Sequence, residues 1–176
     1  MRLSDVEWLD NEDKQCRDDR LQRLKWIIKE YPNIGLSLFH GGVKSHYLFE
    51  EARYCFVYGQ YTASIMLSLS YVENSLATLL YASGTNDVRS ARIVDLLKEA
   101  KEQALISESE FIVLDKVRRI RNPIAHFRTP DDEEDVENKA VKNGRHPYEV
   151  LETDAKTALK ATFRVMARFS IAKQQD

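Results

Sequence analysis

Within the six residues Arg121, Asn122, Pro123, Ile124, Ala125 and His126, the chain sets a permanent cation, an amide and an imidazole close together. Those are the side chains that metal-free RNA cleavage needs. RNA carries its own nucleophile, the 2′-hydroxyl, so the reaction requires a base near that hydroxyl, charge stabilisation for the pentacoordinate phosphate, and an acid for the departing 5′-oxygen. An imidazole titrates near neutrality and can serve as either base or acid. The Arg121 guanidinium cannot lose its proton and offers a planar fork to phosphate oxygens. Asn122 can orient the imidazole or the phosphate. One copy supplies one imidazole and one such arginine, which is thin for a complete site.

The periodicity around these residues says where they point. Val113, Val117, Ile120, Ile124 and Phe127 recur at spacings of three and four, which makes one narrow apolar stripe on a helix. At about 100° per residue, Asn122 and His126 fall on the opposite side, with Arg118 and Arg119 nearby and Arg121 on the flank. Pro123 lacks an N–H and clashes with the preceding turn, so the helix is expected to kink or restart there with Asn122 as cap. Ser107, followed three residues later by Glu110, is a capping-box start for this helix, which is expected to run to about Arg121 and resume through Phe127.

Helices are expected almost everywhere else. Arg17 to Tyr31 is amphipathic through Leu21, Leu24, Ile27 and Ile28 and is stopped by Pro32, after which Asn33 to Gly42 is a loop. Ser45 to Tyr58 is rich in aromatics. Tyr61 to Tyr81 is central, with Ile65, Leu69, Val72, Leu76 and Leu79 on one stripe and Gly84 as its stop. Ala91 to Ala104 and a last helix from about Thr153, burying Leu159, Phe163 and Met166, complete the set. The fold class is therefore all-α, an up-and-down helical bundle with an extra N-terminal helix. Residues 1–43 form that extension and 44–176 the bundle, with a long acidic loop at about 128–152.

Composition agrees with one domain: 176 residues, 43% hydrophobic and 31% charged, with only six Gly and four Pro. No apolar run approaches the roughly 20 residues that cross a bilayer, and the first residues lack a signal-peptide core, so no membrane association and a cytoplasmic location are expected. Cys16 and Cys55 are too few and too far apart for a metal knuckle or a disulfide framework. His40, His46 and His146 have no partner at metal-ligand spacing, so no metal and no cofactor are assigned. The net charge of −2 is uneven. Residues 1–19 carry −4 and residues 131–137 carry −6, which leaves +8 on the remainder. Lys116, Arg118, Arg119, Arg121 and Arg128 cluster around the motif with no acid among residues 116–128, a surface suited to a polyanion. Cations also collect at helix C-termini for dipole reasons alone.

An Arg followed by a polar residue, with His five positions after the Arg near the end of a helix, resembles the signature of the HEPN superfamily in its R-N-x-x-x-H form. The resemblance covers about residues 44 to 173. It implies a homodimer in which two motif helices face a shared cleft, and a metal-independent endoribonuclease leaving a 2′,3′-cyclic phosphate and a 5′-hydroxyl. Arg121, Asn122 and His126 would carry the chemistry, with Arg118, Arg119 and Arg128 binding RNA. The resemblance also makes a toxin or antiviral role plausible, with a protein antitoxin or regulator as partner. Toxins paired with a nucleotidyltransferase antitoxin usually carry a Tyr two residues after the motif His, and here that position is Arg128.

Other readings compete. Arg121 can pair with Glu73 of the central helix, a charge beside the Leu69/Leu76 stripe that is expensive unless paired, and the same pair is compatible with Glu73 holding Arg121 in place for chemistry. The acidic loop is either a solvated connection or a flap that mimics RNA over the motif. The aromatics from Tyr47 to Tyr61 suit packing better than base stacking. The alternative function is a non-catalytic HEPN-like module that binds a nucleotide or a protein, because fold does not specify function.

Overall fold

The computed structural model describes residues 4–32, 40–85, 87–129 and 131–170, and every regular element among them is a helix. The order is α1 (Asp5–Glu30), α2 (Gly42–Val57), α3 (Tyr61–Ala82), α4 (Ile93–Glu102), α5 (Glu108–Ala125), α6 (Val136–Asn143) and α7 (Pro147–Arg168). Most of the loop expected from Asn33 to Gly42 lies outside the described residues. No described helix is long and apolar enough to cross a membrane.

The hub is α3, which packs against α2, α4, α5 and α7. Its interior holds no Gly or Pro, and Tyr61, Ile65, Leu69, Val72, Leu76 and Leu80 are buried at helical spacing. Leu79, expected on this stripe, is only half-buried, while Leu80 is fully enclosed. Neighbours on several sides widen the buried face beyond a single stripe. Small residues let those neighbours come close: Ser64, Ser68 and Ser75 are buried, and the Ser64 hydroxyl donates to the Ala52 carbonyl of α2 at 2.9 Å. From α7, the Thr162 hydroxyl donates to the Ser68 carbonyl at 3.4 Å.

Aromatic rings join the layers. Phe49 of α2 is fully buried, with Tyr71 of α3 at 5.3 Å between ring centroids, Phe163 of α7 at 6.0 Å and Tyr31, just after α1, at 6.1 Å. The turn between α2 and α3 is gripped from two sides. Arg23 of α1 donates to the Val57 carbonyl at 2.8 Å, and the Tyr148 hydroxyl of α7 donates to the Gly59 carbonyl at 3.2 Å. Gly59 has φ +76°, and a Cβ there would collide with the Tyr148 hydroxyl, so both the backbone and the space require glycine.

Two helices differ from expectation. Helix α1 begins at Asp5 rather than Arg17, with a capping box between Ser4 and Glu7. Its second half reaches the common core through Ile27, whereas residues 4–15 are exposed throughout, including Val6, Trp8 and Leu9. Residues that pack on nothing need no apolar stripe, so periodicity missed them. The expected loop at 128–152 contains α6 and the first turn of α7. Asp135 caps α6 by accepting from the Glu137 N–H at 3.0 Å, and Gly144 ends it in the left-handed region at φ +59°. His146 caps α7 and Pro147 fills its first turn, so this helix starts at 147 rather than near Thr153.

Candidate functional site

The first turn of α5 is fixed before the motif is reached. Ser107 accepts from the Glu110 N–H at 3.3 Å, and the Glu110 carboxylate accepts in return from the Ser107 N–H at 2.7 Å. That carboxylate also pairs with Arg168 of α7 at 3.1 Å. Further along, Leu114, Val117 and Ile120 are buried, and Val113 and Ile124 pack at the edge of the core. These contacts set the rotation of α5 about its axis and hence the direction of the motif.

Helix α5 does not restart at Pro123. It runs through to Ala125, and the His126 N–H closes the last turn on the Asn122 carbonyl at 2.9 Å. A proline this close to the C-terminus removes one i to i−4 bond and leaves little helix beyond it to displace. His126 is the C-cap, with extended backbone at φ −135° and ψ 141°. The chain therefore leaves the helix one residue before Phe127. Phe127, expected on the apolar stripe, is instead 91% exposed.

Arg121 and His126 come together. Arg121 Nη1 lies 3.5 Å from His126 Nε2, at the outer limit of a hydrogen bond. A guanidinium can only donate, so this contact suits the imidazole tautomer whose proton is on Nδ1. His126 is exposed and Arg121 half-buried, and among the described residues no carboxylate lies within ion-pair distance of Arg121. The expected Arg121–Glu73 ion pair does not form. Glu73 is half-buried and lines a groove on α3 with Lys44, Asn74 and Arg89, where contact with water removes its need for a paired cation.

Asn122 serves neither the imidazole nor open solvent. With its amide nitrogen toward the Arg118 carbonyl, it donates there at 3.1 Å and accepts from Arg118 Nη1 at 3.1 Å. Arg118 also donates to Asp115 at 2.7 Å, and Arg119 donates to the other oxygen of the same carboxylate at 3.0 Å. Burial pushes the Asp115 carboxyl up, but the two guanidinium groups outweigh it and hold the carboxyl below its ordinary range. Asp115 was legible as an acid three and four residues before two arginines. Read only from residue 116 onward, the basic surface looks stronger than it is.

Arg128 is drawn toward the acidic segment, 3.5 Å from Asp132. Two further acids there are also engaged: Glu133 pairs with Lys142 at 3.0 Å, and Asp135 caps α6. Arg121, His126, Lys116 and the outer part of Arg119 remain as the polar surface at this end of α5. Among the described residues no three His, Cys, Asp or Glu side chains converge on a metal position. Comparison of the chain with protein-family models, with curated proteins and with solved structures found no match.

Proposed function

We propose that the protein is a metal-independent endoribonuclease of HEPN type, acting as a homodimer through the α5 end. One observation carries this reading: at the end of α5 an exposed imidazole lies 3.5 Å from an arginine that has no carboxylate partner among the described residues. His126 takes the proton of the 2′-hydroxyl, the 2′-oxygen attacks phosphorus, and the bond to the 5′-oxygen breaks. Arg121 moves from the imidazole to the phosphate oxygens, where its fork meets the developing charge. The departing 5′-oxygen receives its proton from the partner subunit's His126, which supplies the imidazole that one copy lacks. The products are a 2′,3′-cyclic phosphate and a 5′-hydroxyl. Cleavage of mixed RNA in the presence of EDTA, together with a dimer in sedimentation at micromolar concentration, is the expected result. A monomer that leaves RNA intact overturns the reading.

A second reading rests on α1. Residues 4–15, the N-cap and first eleven residues of α1, are exposed throughout and carry Val6, Trp8 and Leu9, which suits an arm that captures another protein, such as an antitoxin or regulator. This favours an interaction module, and it excludes cleavage only if EDTA-treated protein is inert.

The Asp132–Arg128 pair ties the acidic segment to the RNA-binding face. Asp132→Ser is expected to tighten binding of single-stranded RNA several-fold at low salt, with the gain shrinking as salt rises. Equal affinities at low salt, measured by fluorescence titration, would show that the acidic segment does not screen the site.

A further inference from the structure

We infer that Phe127 is the stacking residue for an unpaired base beside the scissile phosphate of the proposed site. The inference rests on the ribonuclease reading and goes beyond it by assigning a residue outside the motif.

Phe127 has the most exposed large apolar side chain among the described residues, at 91%, and it follows the exposed His126 directly in the chain. The core does not use it, because α5 ends at Ala125 and the extended backbone at His126 turns the next residue outward. A phenyl ring left in water forgoes the burial that aromatic side chains normally obtain. Its surroundings say what can cover it. Arg121 and His126 precede it in sequence, Arg128 follows it in its pair with Asp132, and a protein partner that buried the ring would also have to desolvate these groups. In the proposed dimer a second copy seated directly on the ring would press the two sets of cations together, whereas copies that meet around a shared cleft leave the ring and the cations open to a polyanion. Single-stranded RNA meets both needs, with a base for the ring and phosphates for the cations.

The backbone also determines which base is held. Successive side chains of an extended segment point to opposite sides, so the ring and the imidazole diverge from neighbouring Cα atoms about 3.8 Å apart. The stacked base is thus a flanking nucleotide, and the nucleotide whose 2′-hydroxyl is activated remains free to align with His126. Stacking needs a base drawn out of a duplex, and it tolerates any base because each has a π face.

The test uses fluorescent 2′-O-methyl RNA, which lacks the nucleophile and reports binding alone. Phe127→Ala is expected to weaken binding of the single strand about 5- to 150-fold. Phe127→Trp should retain affinity, and Phe127→Leu should lose most of it, because an apolar side chain without a π face cannot stack. The duplex form should bind all variants alike. Full affinity in Phe127→Ala or Phe127→Leu overturns the assignment while leaving a metal-free, His126-dependent nuclease standing. Loss of a dimer in Phe127→Ala at unchanged RNA affinity assigns the ring to a protein interface and also overturns it. A wild-type protein that neither binds nor cleaves RNA overturns both readings.

Discussion

His126→Ala is expected to abolish RNA cleavage while leaving the fold intact. General acid–base catalysis by a positioned side chain contributes on the order of 10²- to 10⁴-fold, and a dimer that uses two imidazoles loses both at once. The fold should survive because the side chain is exposed and the backbone N–H that closes α5 on Asn122 remains in alanine. Arg121→Ala should cause a comparable loss, and Arg121→Lys should recover only part of it, since lysine restores the charge without the planar fork. Gel analysis of RNA incubated with EDTA gives the rates, and far-ultraviolet circular dichroism confirms folding. Undiminished cleavage by a folded His126→Ala protein would move the chemistry to another part of the molecule.

The second large effect concerns the core. Phe49→Ala is expected to cost about 3–5 kcal/mol, because it removes a fully buried ring that Tyr31, Tyr71 and Phe163 surround and leaves a cavity between α2, α3 and α7. Against a total stability on the order of 5–15 kcal/mol for a domain, that loss brings the chain near its unfolding threshold. Urea denaturation should show a much lower midpoint with little change in slope. Phe127→Ala, the same substitution at an exposed position, should stay within about 0.5 kcal/mol of wild type. Similar midpoints for the two variants would contradict the burial that separates these rings.

The sequence was most legible where local chemistry and packing agree. The α5 start rests on a reciprocal contact between Ser107 and Glu110, three residues apart, and the central helix on apolar spacing that its neighbours cover. Pro123 misled because its cost depends on how much helix follows, and only Ile124 and Ala125 follow it in α5. Phe127 matched the stripe in spacing alone, since a helical period has meaning only while the backbone remains helical. Glu73 was assigned a partner on the assumption of burial, and half-burial beside a groove removes that need. Helix α6 was hidden by the charges around it, although Asp135 and Gly144 stand at its two ends. At the motif, Arg121 and His126 could be placed together from sequence, but the contact of Asn122 with Arg118 depends on side-chain orientation that spacing leaves open.

The geometry of α1 gives its exposed half an unusual thermodynamic character. Starting a helix in isolation carries a nucleation factor of about 10⁻³, equivalent to about 4 kcal/mol. Here that term is already met by the half anchored through Ile27, so the outer residues need only extend a helix that exists. Extension is nearly neutral per residue, and the Ser4–Glu7 capping box closes the far end. The outer half therefore melts inward residue by residue, independently of the bundle's cooperative unfolding. A partner that grasps it gains a helix at the cost of arresting fraying, without the larger cost of folding a coil.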